Sequence, residues 1–465
     1  MRARTVTCLS LAVSLALAAC AGAGKNGSGF VPDAAKSSPA ASPIKHVILM
    51  IQENRSFDNL FATFPGADGA TSAKCHGYPN VNRKFTWPLH KGPLLAPQEA
   101  AYAYGNFVYD ADASEGRYKM DGFCATAIAT LGPVASDHGR FPLQYVDPAE
   151  IAPYWTLAHR YALLDHLFET MGSGSFTAHQ DLVRGNTVLT PKESVSGIPD
   201  RMPWSCDAPP GTVTQLLMSN GTYKAKNGGP ISGPFPCFTY TTLQDLLDAK
   251  GVSWKYYTPE YPDGDGGIWN AFAAIRHVRY GPEWTTNVTT SAPYEMQIFD
   301  DIKGGSLPAM SWVIPDGNNS DHGEEPQDNG PSWVASVVNA VGQSKYWNST
   351  VIVVVWDDWG GWYDHVPPPT LDYYSAGPRV PGLVISPYTK AGTVDHTQYV
   401  FGSILEFVED NFDLGHLGTT DTGVNSIAND LNFKQRPRAF APIPAKYSER
   451  YIRSRPESLL PVDTQ

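Results

Sequence analysis

The chain has 465 residues, with 34 Lys and Arg against 46 Asp and Glu, and a formal charge of -12. So acidic a balance excludes a general nucleic-acid surface, which needs a basic face. Its length suits one large α/β domain carrying insertions, and no internal repeat or second apolar run of membrane-spanning length is present.

Arg2 and Arg4 precede an apolar run over 6–19 that closes on Leu17-Ala18-Ala19-Cys20. This charged, apolar, small-residue order is that of an export signal over 1–20. The cysteine at the cleavage point resembles a lipobox, which implies a lipid on Cys20 and attachment to a membrane of the periplasm or outer cell envelope. Residues 21–43, rich in Ala, Gly, Ser and Pro, predict a flexible tether, and 44–465 a single domain. Export permits disulfides, and Cys75, Cys124, Cys206 and Cys237 allow three pairings. Pairing sequence neighbours would join Cys75 to Cys124 and Cys206 to Cys237. None of the four has the close Cys-x-x-Cys partner that structural zinc favours.

The domain opens on the apolar run 45–51, of strand length, which stops at Gln52-Glu53-Asn54-Arg55-Ser56. Ser56 is placed to cap a helix through Asn59-Leu60-Phe61, so Glu53 and Asn54 fall in a strand-to-helix turn. Residues 65–148 show little periodicity and many Gly, Pro, Asp and aromatic residues, predicting a loop-rich insertion. Helical spacing returns over 151–162. In Gly172-Ser173-Gly174-Ser175, glycines flank a serine at the start of a predicted helix. There the backbone can bend sharply and hold the hydroxyl near helix N-terminal amides, which attract anions.

A second loop-rich insertion spans 190–236. Thr241-Thr242-Leu243-Gln244 predicts a capping box for a helix ending at Gly251. Strands are predicted at 252–257 and 310–314, the second leading into Asp316, Asn318, Asn319, Asp321 and His322. After a helix at 333–341 come five β-branched residues, 351–355, suited to a strand buried on both faces. It runs into Asp357-Asp358-Trp359-Gly360-Gly361. A strand at 381–385 and a helix at 400–412 complete the pattern. Strands alternating with helices predict an α/β fold: a doubly wound, mostly parallel sheet with helices on both faces.

An Asp-Asp pair before glycines is by itself an ordinary strand-ending turn. Here three strand ends carry oxygen ligands, and ligands of open α/β sheets collect beyond the carboxyl ends of strands. Carboxylates and an amide oxygen suit a hard divalent cation. Beside such a cation a serine hydroxyl becomes a competent nucleophile, and in-line phosphoryl transfer is the chemistry that best uses this set.

Five stretches carry a resemblance, in order, to the bacterial phosphoesterase family that contains phospholipases C and acid phosphatase A. They begin at His46 with Gln52-Glu53-Asn54-Arg55-Ser56-Phe57-Asp58, and continue with Met120-Asp121-Gly122-Phe123 and Gly174-Ser175-Phe176-Thr177-Ala178-His179-Gln180. Ser320-Asp321-His322-Gly323 comes next, and the last runs from Trp356-Asp357-Asp358 through Asp364-His365 to Pro368. The resemblance implies an alkaline-phosphatase-like fold with one divalent metal held by Glu53, Asn54, Ser175, Asp357 and Asp358. Ser175 would be the nucleophile forming a phospho-enzyme, and His322 and His179 would hold phosphoryl oxygens or protonate the leaving group.

Some positions depart from the family. Where many members have Thr-x-Pro-Asn-Arg, this chain has Ser175 to His179, which leaves Thr177 as a rival nucleophile, and Asp358 stands where Glu is common. The family's histidine upstream of Met120 has no clear counterpart, and His90 and His138 are candidates by position alone. Arg55 is placed to orient Glu53 and Asn54. Asp364 is expected to brace its loop, and His365 to make a local structural hydrogen bond. The function implied is hydrolysis of phospholipid headgroups in the manner of a phospholipase C. The alternatives are an acid phosphatase for small phosphate esters, or a catalytically silent lipoprotein that binds phosphorylated ligands.

Overall fold

The computed structural model describes residues 42–76, 84–112, 118–223, 232–262, 264–458 and 460. The expected export signal, Cys20 and nearly all of the tether lie outside them.

Seven strands form the central sheet: β1 His46–Gln52, β2 Ala162–Leu164, β3 Trp254–Tyr257, β4 Met310–Val313, β5 Thr350–Trp356, β6 Gly382–Ile385 and β7 Thr393–Asp395. Their spatial order is β3-β4-β1-β5-β6-β2-β7. Every residue of β5 is buried. Successive strand side chains point to opposite faces, so both faces of the sheet are covered. Each such Val or Ile withdrawn from water contributes roughly 1.5–3 kcal/mol, which makes this strand a rigid base for the Asp357-Asp358 loop.

The helices that matter here are α1 Phe57–Phe61, α2 Tyr104–Asp110, α3 Phe123–Ala135, α4 Ala152–Arg160, α5 Ser175–Arg184, α6 Leu243–Lys250, α7 Gly330–Gly342 and α8 Phe401–Phe412. Among them α4 packs with α7, α5 with α6 and α8, and α2 with α3. Among the described residues no helix is long and apolar enough to cross a membrane.

The register of β1 on β5 positions the site. His46 lies opposite Thr350 and Gln52 opposite Trp356, so the two parallel strands end level. Glu53-Asn54 and Asp357-Asp358 therefore leave the sheet side by side, and the Asp357 amide donates to the Gln52 carbonyl at 2.9 Å.

The sheet is mostly parallel, as expected, while several details refine or correct the rest. β6 runs antiparallel to both β5 and β2, unlike the rest of the sheet. The chain between β5 and β6 contains no crossover helix, so it returns from the end at which β5 finished. The 65–148 insertion is not merely loop, since it holds α2 and α3. In α3 the buried residues include Cys124, Ala125, Thr126 and Ala127, too small to give a visible apolar period. Residues 188–218 form three short antiparallel strands, Val188–Thr190, Glu193–Gly197 and Gln215–Met218. The α6 capping box is closed by Asp245, whose carboxylate accepts from the Thr242 amide at 2.8 Å, and not by Gln244. The disulfides join Cys75 to Cys124 and Cys206 to Cys237.

The first insertion has its own apolar cluster. Tyr102, Phe107, Met120 and Phe123 pack with Trp359, Tyr363 and Met171 from the loops around the site. The insertion is thus packed onto the loops at the carboxyl edge of the sheet.

Candidate active site

Asn54 sits in the left-handed region at φ 56°, a conformation that Asn tolerates better than most residues. This turn lets its backbone amide donate to Asp357 Oδ1 at 3.0 Å, tying the two strand ends together. Gly360 and Gly361 also have positive φ, 57° and 72°. A Cβ on Gly360 would lie 2.5 Å from the Asn54 carbonyl oxygen, and one on Gly361 2.4 Å from that of Ala100. The two glycines therefore let the Asp357-Asp358 loop close onto both β1 and the insertion.

Ser175 is the first residue of α5, after Gly174 in extended conformation. Its Oγ lies 3.4 Å from Asp358 Oδ2, while Asp358 Oδ1 accepts from the Gly360 amide at 2.7 Å. Four residues on, and so on the same helix face, His179 is fully buried. Its Nε2 lies 3.0 Å from Glu53 Oε1 and 3.6 Å from Asp357 Oδ2. Thr177 turns its hydroxyl back on its own loop, 2.8 Å from Ser173 Oγ and 3.0 Å from the Gly174 carbonyl. The β1, β5 and α5 candidates are therefore gathered in one place, with Thr177 beside them but occupied.

His322 comes from the loop after β4. Its Nδ1 donates to the Gly323 carbonyl at 2.6 Å, which leaves Nε2 facing Tyr102 Oη at 3.5 Å and Glu99 Oε2 at 3.9 Å. Asp321, just before it, accepts from Tyr154 Oη at 2.8 Å and Trp356 Nε1 at 3.0 Å. Arg55 is fully buried and binds the Asp321 and Leu94 carbonyls and Asn59 Oδ1. It fastens the His322 loop and the insertion to the turn that carries Glu53 and Asn54.

Burial dominates the electrostatics. It pushes the Asp358 carboxyl well above the ordinary value, and the neighbouring negative charge of Asp357 pushes it further. Glu169, fully buried at the start of the Ser175 loop, is raised in the same way, with Asp358 and Asp357 adding to burial. His179 is pushed down to about 4 by burial, against the pull of Asp357, and is neutral at physiological pH.

The donor set fits a cation. Glu53 and Asp357 each offer a ligand oxygen, within 4.8 Å of one another and of a His179 ring nitrogen. Asn54 Oδ1 and Asp357 Oδ2 are buried without a hydrogen-bond partner, a costly state for oxygens unless a positive charge faces them. Ser175 and Asp358 form a neighbouring pair, 3.4 Å apart.

The remaining sequence candidates lie elsewhere. His90 is on the short strand His90–Gly92 paired with Gln144–Val146, and His138 is exposed in a turn. His365 Nδ1 binds Asp58 Oδ2 at 2.7 Å, and Asp364 accepts from the Asp58 amide at 3.2 Å and from Arg379 Nε at 2.9 Å. Glu99, Tyr102 and Glu169 were not among the candidates that the sequence suggests. No pattern in the sequence distinguishes a single glutamate in an aperiodic insertion, so only the fold reveals Glu99.

Together these features define a class: an oxygen-rich site with a serine at a helix start, beyond the strand ends of an α/β sheet. The profile of the Phosphoesterase family matches residues 44–415, and the chain belongs to that family. The non-hemolytic phospholipase C of Burkholderia pseudomallei is 23% identical over 79% of this chain and 55% of its own length. Phospholipase C B of Mycobacterium tuberculosis is 23% identical over 86% of this chain and 80% of its own. The chain spans about half the length of the first of these. Among solved structures, a protein in the alkaline phosphatase superfamily from Vibrio parahaemolyticus overlaps 60% of this chain and 65% of its own, at 12% identity and a TM-score of 0.33.

Proposed function

We propose that this protein is a cation-dependent phosphoric-ester hydrolase that attacks through Ser175, with phospholipid headgroups as substrates. The observation that carries the reading is the Ser175 hydroxyl at the first turn of α5, 3.4 Å from Asp358, beside the strand-end residues Glu53, Asn54 and Asp357. Ser175 Oγ forms the new bond to phosphorus as the ester P–O bond breaks, and water then hydrolyses the seryl phosphate. Asp358 Oδ2 is the carboxylate placed to take the serine proton. The amino end of α5, where helix amides lack intrahelical partners, would face the phosphoryl oxygens. His322, through Nε2, holds one of those oxygens or protonates the departing alcohol. His179 donates from Nε2 to Glu53 and fixes that carboxylate. One divalent cation, held by Glu53, Asn54, Asp357, Asp358 and Ser175, would supply Lewis-acid charge for the phosphoryl group and a lowered serine pKa.

Names among the relatives support the lipid reading. We further propose that the protein is exported and held at the cell envelope by a lipid on Cys20. The test of function is hydrolysis of phosphatidylcholine and of p-nitrophenyl phosphate by the full chain. The wild type should release phosphocholine, and Ser175→Ala should lose at least about 10³-fold in kcat with its fold intact. Turnover of p-nitrophenyl phosphate alone would replace the lipase reading by that of a phosphatase for small esters. An active Ser175→Ala alongside a dead Thr177→Ala would move the nucleophile to Thr177.

A further inference from the structure

The oxygen that Asn54 turns toward the cation site is selected by a residue outside the five motifs. Asn54 Nδ2 donates to Glu99 Oε2 at 2.7 Å. A carboxylate has no donor to offer, so only the NH2 end of the amide can face it. That leaves Asn54 Oδ1 turned away from Glu99, buried and without a hydrogen-bond partner, on the residue whose backbone amide donates to Asp357. The other Glu99 oxygen, Oε1, accepts from the Gly323 amide at 2.7 Å. Gly323 is also the residue whose carbonyl orients the His322 ring. A Cβ there would lie 2.4 Å from Glu99 Cγ, so glycine is what lets the loop approach the carboxylate. Close by, the Glu324 amide binds the Ala96 carbonyl at 2.8 Å, docking the loop on the insertion a second time. Glu99 is itself 2% exposed.

We propose that Glu99 is a positioning residue for the cation site: it fixes the Asn54 amide with Oδ1 directed at the cation, and in the same act sets the loop that presents His322. The 65–148 insertion thereby helps build the centre as well as covering it. This rests on the cation-dependent reading above, and the experiment separates the two.

A glutamine in place of Glu99 would face two donors, Asn54 Nδ2 and the Gly323 amide, with a single carbonyl. If that carbonyl stays on Gly323, its NH2 end meets Asn54 Nδ2 and forces the Asn54 amide to flip, turning a donor toward the cation. Changing Asn54 to aspartate in the same chain removes the conflict, because the new carboxylate accepts from the glutamine and still presents an oxygen to the cation.

Mn²⁺ suits oxygen ligands and is followed by the EPR signal of the free ion. Titration of the full chain should show Glu99→Gln weakening Mn²⁺ binding by about 10- to 100-fold, the loss typical when an outer partner of a metal ligand is removed. Asn54→Asp/Glu99→Gln should recover most of that loss. Glu99→Asp keeps the charge but withdraws it by one methylene, and should fall between wild type and Glu99→Gln. Thermal unfolding in chelator checks that each variant is folded. Mn²⁺ affinity unchanged in Glu99→Gln overturns the proposal, as does a loss that the double variant fails to recover, the behaviour of a purely structural residue. Absence of Mn²⁺ binding by the wild type removes the cation reading itself, and the proposal with it.

Discussion

The loop after β5 carries a buried carboxylate group at each end, and the two are balanced differently. At the far end Asp364 and Asp58, both fully buried, face Arg379, also fully buried. Arg379 Nε lies 2.9 Å from Asp364 Oδ1 and its Nη2 3.4 Å from Asp58 Oδ1, with His365 on the outer side. Burial raises Asp364 to about 6, and the guanidinium beside it is the main restraint. At the near end Asp358 is equally buried, yet the charges acting on it are those of Asp357 and Glu99, both negative. Only hydrogen bonds from Gly360 and Ser175 oppose them. Asp58, Asp364 and His365 also have the spacing of a metal site. What separates the ends is the built-in cation, which one has and the other lacks. An arginine gives a permanent, rigid brace, whereas a missing charge can be supplied from solution and so can do chemistry.

The largest expected effect comes from taking the internal cation away. Arg379→Met should cost about 3–5 kcal/mol of unfolding free energy, because it takes the buried guanidinium from two buried carboxylates and leaves only hydrogen bonds and the half-buried His365 to offset them. Denaturant unfolding in the presence of chelator measures this. A loss under about 1 kcal/mol would mean that the far cluster is already neutralised by protonation, and the contrast would fail.

Next comes the cation added from solution. At 100 times its dissociation constant a divalent ion should stabilise the wild type by about 2.7 kcal/mol. Asp358→Asn should abolish most of that gain while making the chelated protein more stable, by about 1 kcal/mol, since the cost of holding a buried carboxyl away from the ionised form it has in water has been removed. The opposite signs of Arg379→Met and Asp358→Asn are the sharpest form of the comparison. If both variants destabilise the chelated chain alike, Asp358 is already compensated.

How much of this was legible in advance depends on the range over which each signal acts. The β-branched run at 351–355 and the apolar run at 45–51 announce buried strands, and residues just past a strand end lie at the carboxyl edge whatever the topology. Glu53, Asn54, Asp357 and Asp358 were therefore visible. Ser175 and His179 stand four apart on a helix, so their common face was visible too. The direction of β6 was hidden, because it depends on how the chain between the strands is folded. Glu99 was hidden for a stronger reason: it meets Asn54 across 45 residues and Gly323 across 224, from a segment with no period of its own.

The smallest effect is a pH dependence, and its coupling to the cation distinguishes the two ends. A carboxyl whose folded pKa is raised binds more protons in the native state than when unfolded, so its contribution is fully present below the unfolded value and lost as pH rises through the folded one. For Asp364 that window runs from 3.8 to about 6. For Asp358 the loss also begins above 3.8 and continues through its raised folded value, with no arginine to oppose the rise. In chelator the chain should therefore lose stability on both accounts as pH rises. Other buried acids do the same, such as Asp430, raised to about 8 by burial and by Asp395, so the chelated curve alone assigns nothing. The difference between cation-loaded and chelated midpoints cancels those shared terms. A cation must displace the Asp358 proton, so its affinity should rise with pH, and the cation-induced shift in Tm should grow between pH 5 and pH 8. Asp364→Asn should leave that growth intact and Asp358→Asn should flatten it. A shift that stays constant with pH in the wild type would show that Asp358 is already ionised in the chelated protein, and the two ends of the loop would then be electrostatically alike.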